Sequence, residues 1–343
     1  MIKCLSLPLF SFRWRLFILL LCSVNLSKGQ TTGSTYAEKL GYPKGARVVI
    51  LHVDDAGMSF DSNEGAITAM TKGVANSCSV MMPCGWVPGF VKFLKKNPDI
   101  DAGLHLTLTS EWSDYRWGPL AGKNSVPGLT DTEGSLWASV ENVVKHASAD
   151  EVEKEIRAQT DRAALMGFKP THFDSHMGTL FATPEFLERY VKIGIEKNTP
   201  VMLPGGQDFL IQQQMHLSLQ QIQQMQQIGK VLWAAGLPVL DDLHNSSYDW
   251  PIPDSLKNND KRLQAYKTAK YIEAIGSLKP GVTMMIMHCT APTEVFAHIS
   301  NSGAVRKGDL LAMTDPAFRQ ALKNQGIILT TWRELKQRRD ALR

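Results

Sequence analysis

The chain has 343 residues, of which 43% are hydrophobic and 20% charged, a balance typical of a folded globular protein. It excludes a disordered or fibrous chain. The net charge of +4 comes from residues 1–29, which hold four basic residues and no acidic one, so the remainder is neutral. A neutral chain without a basic run gives no electrostatic reason to expect nucleic acid as a partner.

The first 29 residues have the three parts of a secretory signal peptide. Basic residues up to Arg15 precede an apolar stretch from Leu16 to about Leu26, and the small residues Ser27 and Gly29 follow. The apolar stretch is shorter than the ~20 residues needed to span a bilayer, so an uncleaved anchor is the weaker interpretation. We expect cleavage near Gly29, export to the periplasm or the medium, and no stable membrane insertion. The sequence leaves the oligomeric state open and is compatible with a homo-oligomer.

After residue 29, short β-branched runs alternate with longer amphipathic segments, the pattern of βα units around a parallel sheet. Helices are predicted at about 61–72, 87–97, 149–167, 184–197, 217–235, 261–276 and 315–325. Eight strands are predicted, at Ala46–Val53, Ser77–Met82, Asp101–Thr107, Lys169–Phe173, Pro200–Leu203, Leu237–Leu240, Val282–Met287 and Gly326–Thr330. No flexible linker interrupts them. Residues 30–343 are therefore predicted to form a single α/β domain, a TIM-like (β/α) barrel with seven or eight parallel strands.

Unusual polar side chains lie at the carboxyl ends of these predicted strands. They are Asp54 and Asp55, His105, the group His172, Asp174 and His176, the group Asp241, Asp242 and His244, and His288. In a parallel barrel these strand ends meet on one face, where active sites of this fold lie. The sequence thus predicts one pocket built from distant residues. By contrast, His52, His146, His216 and His298 are predicted to be structural.

Imidazoles together with a carboxylate are the ligands of hydrolytic divalent metal sites. Such an ion lowers the pKa of bound water from about 16 to about 7. Asp54 and Asp55 are adjacent at a strand end and point in different directions, so that one can bind a metal while the other faces the water. Each feature alone has a plainer explanation, because paired aspartates often cap helices and His105 between two leucines suits a buried core position.

Four segments carry a resemblance to a known family. They are Val53–Gly57 (VDDAG), Gly103–Leu108 (GLHLTL), Thr171–His176 (THFDSH), and Arg306–Leu310 (RKGDL) before Gly326–Leu329. In these segments and their order the chain resembles the YdjC-like carbohydrate deacetylases, over residues 46–335. The resemblance implies a distorted (β/α) barrel that removes acetyl groups from N-acetylated oligosaccharides with one divalent cation. Zinc or magnesium is the favoured ion, with manganese and cobalt as alternatives.

The resemblance also implies a role for each matching residue. Asp55, His105 and His176 would bind the metal, Asp54 would be the base that activates water, His288 would protonate the leaving amine, and His172 and Asp174 would orient the ligands. In the wider polysaccharide deacetylases both histidines come from one H-x-x-x-H element, which here would be His172 and His176 without His105. The chain departs from the family pattern at Met177, Gly178, Cys289 and Thr290.

The segment Ser110–Leu136 is rich in Gly, Pro and Trp and is predicted to be a loop over the strand ends. Its aromatic residues Trp112, Tyr115 and Trp117 either stack on sugar rings or anchor the loop to the barrel. Two further functions stay open. One is a metal-independent glycoside hydrolase with a carboxylate pair drawn from Asp54, Asp174 and Asp242. The other is an exported barrel that binds carbohydrate without catalysis.

Overall fold

The computed structural model describes residues 34–342, whose strands form one curled, parallel sheet with helices around it. The seven strands are β1 Arg47–Ala56, β2 Ser77–Val80, β3 Ala102–Leu106, β4 Phe173–Ser175, β5 Asp242–His244, β6 Gly281–Met287 and β7 Ile328–Leu329. Their order is β4-β3-β2-β1-β6-β5, and β7 pairs with the first half of β1. The predicted α/β class with parallel strands is confirmed. The predicted signal peptide lies outside the described residues.

Strand β1 is the centre of the sheet, because it pairs with β2, β6 and β7. Every residue from Val48 to Ala56 is buried, as expected for a parallel strand with neighbours on both edges. This explains why the sequence Val-Val-Ile-Leu-His-Val shows no alternation of polar and apolar positions. The strand thereby carries the two aspartates at its end into the interior of the molecule.

Thirteen α-helices surround the sheet within residues 34–342. They are α1 Tyr36–Lys39, α2 Phe60–Thr71, α3 Val87–Lys96, α4 Val140–His146, α5 Ala149–Leu165, α6 Pro184–Glu196, α7 Phe209–Met215, α8 Leu219–Ala234, α9 Asp254–Lys257, α10 Asp260–Ser277, α11 Gly303–Met313, α12 Pro316–Asn324 and α13 Trp332–Asp340. All seven predicted helices are among them, with ends within two residues of the prediction. None of the helices in this part of the chain is long and apolar enough to cross a bilayer.

Local capping chemistry explains why the helix ends were predictable. Ser148 and Glu151 form a capping box at the start of α5. Thr183 caps α6, with Pro184 in its first turn. Gly236, with φ of 88°, follows the end of α8, where the chain takes the left-handed conformation that glycine accommodates best.

Two of the eight predicted strands are wrong. Pro200–Leu203 and Leu237–Leu240 contribute only the isolated bridges Phe173 to Val201 and Pro204 to Leu240, and β5 begins later, at Asp242. Proline lacks the N–H that a ladder needs, and these segments contain Pro200 and Pro238. Residues 201–204 still lie between the two edges of the sheet, because one bridge reaches β4 and the other reaches the residue two positions before β5.

Asp241 has a structural role and does not face the predicted pocket. Its buried carboxylate accepts hydrogen bonds from the backbone N–H groups of Tyr36 (2.8 Å), Ala37 (3.0 Å) and Val282 (2.8 Å). These bonds join the start of α1 to β6. Asp241 therefore acts as a helix cap, which is the structural role that paired aspartates often have.

Replacement of Asp241 by asparagine is expected to lower the free energy of unfolding by roughly 3 kcal/mol, because an NH2 group would replace one of the two oxygens that accept bonds from buried backbone N–H groups. Urea denaturation followed by circular dichroism measures this change. The control is Asp254→Asn, at a carboxylate 92% exposed beside Lys257, with an expected change within about 0.5 kcal/mol. A loss below about 1 kcal/mol for Asp241→Asn would contradict the structural role.

Candidate functional site

The site begins where β1 bulges. The pairing between β1 and β2 shifts register between Val53 and Ala56, and Asp55 has φ of 66°, a left-handed conformation uncommon for a residue with a side chain. The two aspartate carboxylates consequently contact different partners. This is the divergence that the sequence predicted for Asp54 and Asp55.

Asp55, His105 and His176 form one buried cluster. The Oδ1 atom of Asp55 lies 3.4 Å from Nε2 of His105 and 3.4 Å from Nδ1 of His176. His105 belongs to β3, and His176 follows β4 directly. Their three candidate ligand atoms lie within 4.8 Å of one another, and Oδ1 of Asp55 has no hydrogen-bond partner among the described residues. One nitrogen from each imidazole and one oxygen could therefore hold a divalent cation.

Arg306 on α11 binds the other oxygen of the Asp55 carboxylate. Its Nη1 donates to Oδ2 at 2.7 Å, and its Nε donates to Oγ of Ser302 at 2.8 Å. Burial favours the neutral acid, but the Arg306 guanidinium and His176 outweigh that effect and hold the pKa of Asp55 well below its usual range. Arg306 lay in a motif that the sequence singled out, yet its role as the partner of Asp55 was missed.

A chain of close contacts between imidazoles and carboxylates connects this cluster to Asp54. Nδ1 of His105 lies 2.7 Å from Oδ1 of Asp174, and Oδ2 of Asp174 lies 2.9 Å from Nε2 of His52. The same His52 nitrogen lies 3.1 Å from Oδ1 of Asp54. Asp174 therefore contacts a candidate metal ligand, as its predicted orienting role requires.

His52 is a site residue that sequence analysis placed among the structural histidines. Burial disfavours its charged form, but the nearby carboxylates of Asp174 and Asp54 outweigh that effect and raise the pKa of His52 to about 9. A sequence clue existed, because residues two apart on a strand face the same side and His52 precedes Asp54 by two positions. A histidine inside a fully buried apolar strand also needs polar partners.

His172 lies outside the Asp55 cluster. It is fully buried, its ring stacks on Trp332 with centroids 5.2 Å apart, and its Nδ1 lies 3.0 Å from Oγ1 of Thr171. Its Nε2 lies 3.8 Å from Oδ2 of Asp174. Within residues 34–342, no group of three candidate ligands contains both His172 and His176. The geometry thus favours His105 over the H-x-x-x-H alternative.

Asp54 faces His288 across the site. Oδ2 of Asp54 lies 3.9 Å from Nε2 of His288 and 3.8 Å from Nε2 of His105. The backbone N–H of His288 donates to Oδ2 of Asp309 at 3.1 Å. Burial lowers the pKa of His288. A carboxylate and a neutral imidazole thus stand beside the candidate metal cluster, as required for moving a proton between water and a leaving group.

Glu111, in the long loop, is a second residue that the sequence did not predict. Its Oε2 lies 3.0 Å from Nε2 of His176, so the His176 ring is held between Glu111 and Asp55. Burial disfavours the charged form of His176, but Glu111 and Asp55 outweigh that effect and raise the pKa of His176 to about 10. Glu111 reaches the cluster through the path of the loop, which no local sequence pattern predicts.

The three aromatic residues of the loop differ in exposure. Trp117 is only 6% exposed and its Nε1–H donates to the Thr109 carbonyl at 2.9 Å, so it anchors the loop and presents no stacking surface. Tyr115 also packs against the core and donates from its hydroxyl to the Met58 carbonyl at 2.5 Å. Trp112 lies beside Arg306, whose Cζ is 5.8 Å from the Trp112 ring centroid. For Trp112 a role in sugar binding stays a prediction.

Two further predicted pocket residues have other environments. The Asp242 carboxylate accepts hydrogen bonds from the backbone N–H groups of Leu210 (2.8 Å) and Ile211 (3.2 Å), so it caps α7 and is not free for glycoside hydrolysis. His244 is buried against Trp250, with ring centroids 5.7 Å apart. Neither belongs to a candidate metal group within the described part of the chain.

The departures from the family pattern leave the cluster intact. Met177 and Gly178 have φ of 51° and 66° and form the turn after His176, where Met177 is 47% exposed. Cys289 and Thr290 are buried directly after His288. None of the four replaces a member of the Asp55 cluster.

The chain is similar in sequence to proteins of one known family. A family model described as YdjC-like protein matches residues 48–324. A carbohydrate deacetylase of Thermus thermophilus is 29% identical over 300 residues, covering 88% of this chain and 97% of the relative. A carbohydrate deacetylase of Brevibacillus brevis is 33% identical over 156 residues, covering 46% of this chain and 59% of the relative.

A solved structure shares the fold. It is the crystal structure of an Enterococcus faecalis V583 protein, described as a candidate cellobiose-phosphate cleavage protein, with a TM-score of 0.67 and 18% identity. The match covers 84% of this chain and 99% of that one. At this identity the likeness bears on the barrel fold alone, which it supports.

If the cluster binds a metal as its geometry indicates, replacement of His105 by alanine is expected to weaken Zn²⁺ binding by more than about 100-fold, because one of three candidate ligands is lost. Elemental analysis and calorimetric titration measure bound metal. The matched control is His172→Gln, expected to keep one ion per chain with an affinity change below about tenfold. Stoichiometric metal in His105→Ala would move the ligand role to another histidine.

His244 makes folding sensitive to acid, because burial lowers its pKa to about 4. In the unfolded chain a histidine titrates near 6.5, so the unfolded state takes up a proton first as the pH falls. Stability is therefore expected to fall between about pH 6.5 and 4, by up to about 3 kcal/mol from this group. Urea denaturation across that range should show that the free energy of unfolding depends less steeply on pH in His244→Gln than in wild type. Replacement of the exposed His298 by Gln is the control, and equal slopes in all three proteins would contradict the assignment.

Proposed function

The chain belongs to the family of YdjC-like proteins, and from that premise we propose that it is a metal-dependent hydrolase that removes acetyl groups from N-acetylated carbohydrates. The observation that carries the proposal is the buried cluster of Asp55, His105 and His176, flanked by Asp54 and His288. The relatives in Thermus thermophilus and Brevibacillus brevis, both named carbohydrate deacetylases, support the substrate class. Export to the periplasm or medium is part of the proposal and rests on the predicted signal peptide.

The chemistry of the cluster fits a divalent cation. Oδ1 of Asp55 is a buried acceptor without a partner among the described residues, and two imidazole nitrogens lie 3.4 Å from it. Three protein ligands leave positions for water and substrate, as hydrolytic sites require. When bound, the ion would lower the pKa of water and polarise the acetyl carbonyl. The two imidazoles favour a zinc-like ion, with magnesium, manganese and cobalt as alternatives.

Asp54 is proposed as the base. Its Oδ1 is held by His52 at 3.1 Å and by the Ser79 hydroxyl at 3.4 Å, which leaves Oδ2 facing the cluster and His288. Asp54 takes a proton from the attacking water as the new carbon–oxygen bond forms. His52 and Asp174 position this carboxylate and the His105 ring, and neither touches the substrate in this scheme.

His288 is proposed to deliver that proton to the leaving nitrogen. Because burial lowers its pKa, the resting imidazole is neutral at neutral pH and can accept a proton from Asp54. It then transfers this proton to nitrogen as the carbon–nitrogen bond breaks, so that acetate and amine leave without a proton from outside the site. The amide nitrogen is a poor leaving group until it is protonated, which makes this transfer necessary.

The decisive experiment is acetate release from N-acetylglucosamine oligomers by the purified mature protein, with and without a strong chelator. Loss of activity in chelator and recovery on adding back Zn²⁺ or another divalent ion are expected. New reducing ends in place of acetate, with activity retained in chelator, would favour a glycoside hydrolase. Binding of the oligomers without turnover would favour a non-catalytic carbohydrate-binding barrel.

Two substitutions separate the proposed roles of base and acid. Asp54→Asn is expected to lower kcat at least about 100-fold on both an acetamido sugar and 4-nitrophenyl acetate, because both reactions need activated water. His288→Ala is expected to lose a similar factor on the sugar but less than about tenfold on the ester, whose leaving group needs no proton. Equal losses on both substrates for His288→Ala would contradict its role as proton donor.

A further inference from the structure

The first residues of the long loop contact two direct neighbours of the Asp55 carboxylate. Oε2 of Glu111 lies 3.0 Å from Nε2 of His176, whose Nδ1 lies 3.4 Å from Oδ1 of Asp55. The next residue in the chain, Trp112, lies beside the guanidinium of Arg306. That guanidinium binds Oδ2 of Asp55. No step of the proposed reaction assigns a role to these loop contacts.

Glu111 determines which nitrogen of the His176 ring faces Asp55. An ionised carboxylate can only accept hydrogen bonds, so the nitrogen beside Glu111 is the one that carries a hydrogen. In the neutral ring the lone pair is then on Nδ1, the atom 3.4 Å from Oδ1 of Asp55. The contact with Glu111 therefore holds His176 in the tautomer and the orientation that a cation between these two atoms requires.

The corresponding support of His105 comes from a different part of the fold. Its Nδ1 lies 2.7 Å from Oδ1 of Asp174, and its Nε2 lies 3.4 Å from Oδ1 of Asp55. Asp174 belongs to β4 and is placed by the sheet, whereas Glu111 is placed by the loop. Each imidazole thus has a carboxylate on its far nitrogen, but the support of His176 depends on how the loop is docked.

Glu111 supports the candidate metal cluster without belonging to it. Its side chain is 19% exposed, compared with 1% for Asp55 and 5% for His176. Within residues 34–342 it belongs to none of the groups of three candidate ligands. Its carboxylate would act on a bound cation through the His176 ring, which makes Glu111 a positioning residue.

Hydrogen bonds on both sides of Glu111 hold this part of the loop in place. The Ser110 hydroxyl accepts a bond from the backbone N–H of Trp117 at 3.1 Å. The Tyr115 hydroxyl donates to the carbonyl of Met58, between β1 and α2, at 2.5 Å. The first bond closes the loop on itself and the second fastens it to the barrel. Docking of the loop and the contact that Glu111 makes are therefore linked.

We propose that Glu111 couples docking of the long loop to cation binding at the Asp55 cluster. The inference rests on the proposed function and adds to it a positioning residue and a link between loop and site. With the loop docked, Glu111 holds His176 ready to bind, which raises the affinity of the cluster for the cation. Because such coupling is reciprocal, the bound cation stabilises the docked loop by the same factor.

Calorimetric titration of the chelator-treated mature protein with Zn²⁺ tests the positioning role. Glu111→Ala is expected to weaken Zn²⁺ binding by about 10- to 100-fold, because the ring of a ligand loses its support. Glu111→Gln should lie between this variant and wild type, since its amide oxygen still accepts from Nε2–H. The control is Glu133→Ala, which removes the same charge from a side chain 75% exposed in the same loop, with an expected change below about twofold.

Hydrogen exchange measures the coupling from the side of the loop. In wild type, saturating Zn²⁺ should slow exchange of the backbone amides of residues 111–122, whereas in Glu111→Ala the bound ion should leave them unchanged. Tyr115→Phe removes the hydroxyl that fastens the loop. It should weaken Zn²⁺ binding about fivefold in wild type but less than about twofold in Glu111→Ala, where loop and cluster are no longer linked.

The possible outcomes separate this inference from the proposed function. Equal Zn²⁺ affinity in wild type and Glu111→Ala would overturn the positioning role and leave metal-dependent deacetylation standing. Loop exchange in wild type that is the same with and without Zn²⁺ would overturn the coupling. A wild-type protein that binds none of Zn²⁺, Mg²⁺, Mn²⁺ and Co²⁺ would overturn the metal-dependent function itself.

Discussion

The site depends on keeping the Asp55 carboxylate ionised in the interior of the barrel. A buried charge is costly unless it is paired, and Asp55 has Arg306 on one oxygen and the imidazoles of His105 and His176 near the other. Arg306 and Asp55 are 251 residues apart in the chain, so their contact requires α11 to pack against the end of β1. One charge pair thus joins the last third of the chain to its central strand and leaves a single oxygen directed at the two histidines.

Around this pair, buried polar contacts hold the rings of His105 and His176 and the backbone of His288. Register between β3 and β4 places Asp174 opposite His105, where it also reaches His52. The Asp309 carboxylate accepts a hydrogen bond from the backbone N–H of His288. The same carboxylate lies 2.7 Å from Nζ of Lys267 and accepts a hydrogen bond from the Tyr271 hydroxyl at 2.7 Å. Because these contacts come from several elements, the site is held by the sheet and its helices together and not by one flexible loop.

The aspartates of the strand ends show how one residue type serves two purposes. Asp54 and Asp55 meet histidines and an arginine, and so they remain available for chemistry. Asp241 and Asp242 meet backbone N–H groups at the starts of α1 and α7, and so they hold the fold together. This distribution leaves Asp54 and Asp55 beside the histidines of the candidate metal cluster and gives no support to a glycosidase pair that includes Asp242.

Periodicity and capping are local features, so the chain predicted the alternation of strands and helices and the ends of seven helices. Strand-end placement predicted a shared pocket, and the family resemblance singled out Asp55, His105 and His176 within it. The partner of each side chain, by contrast, depends on how the strands and helices pack. In the folded protein His172 lies near Asp174, outside the Asp55 cluster, while Glu111 contacts His176 and Arg306 contacts Asp55. Trp117 is buried, and His52 contacts Asp174. These contacts depend on strand register, a backbone bulge and the path of a long loop. They join residues that are distant in sequence, so no periodic pattern in the chain predicts them.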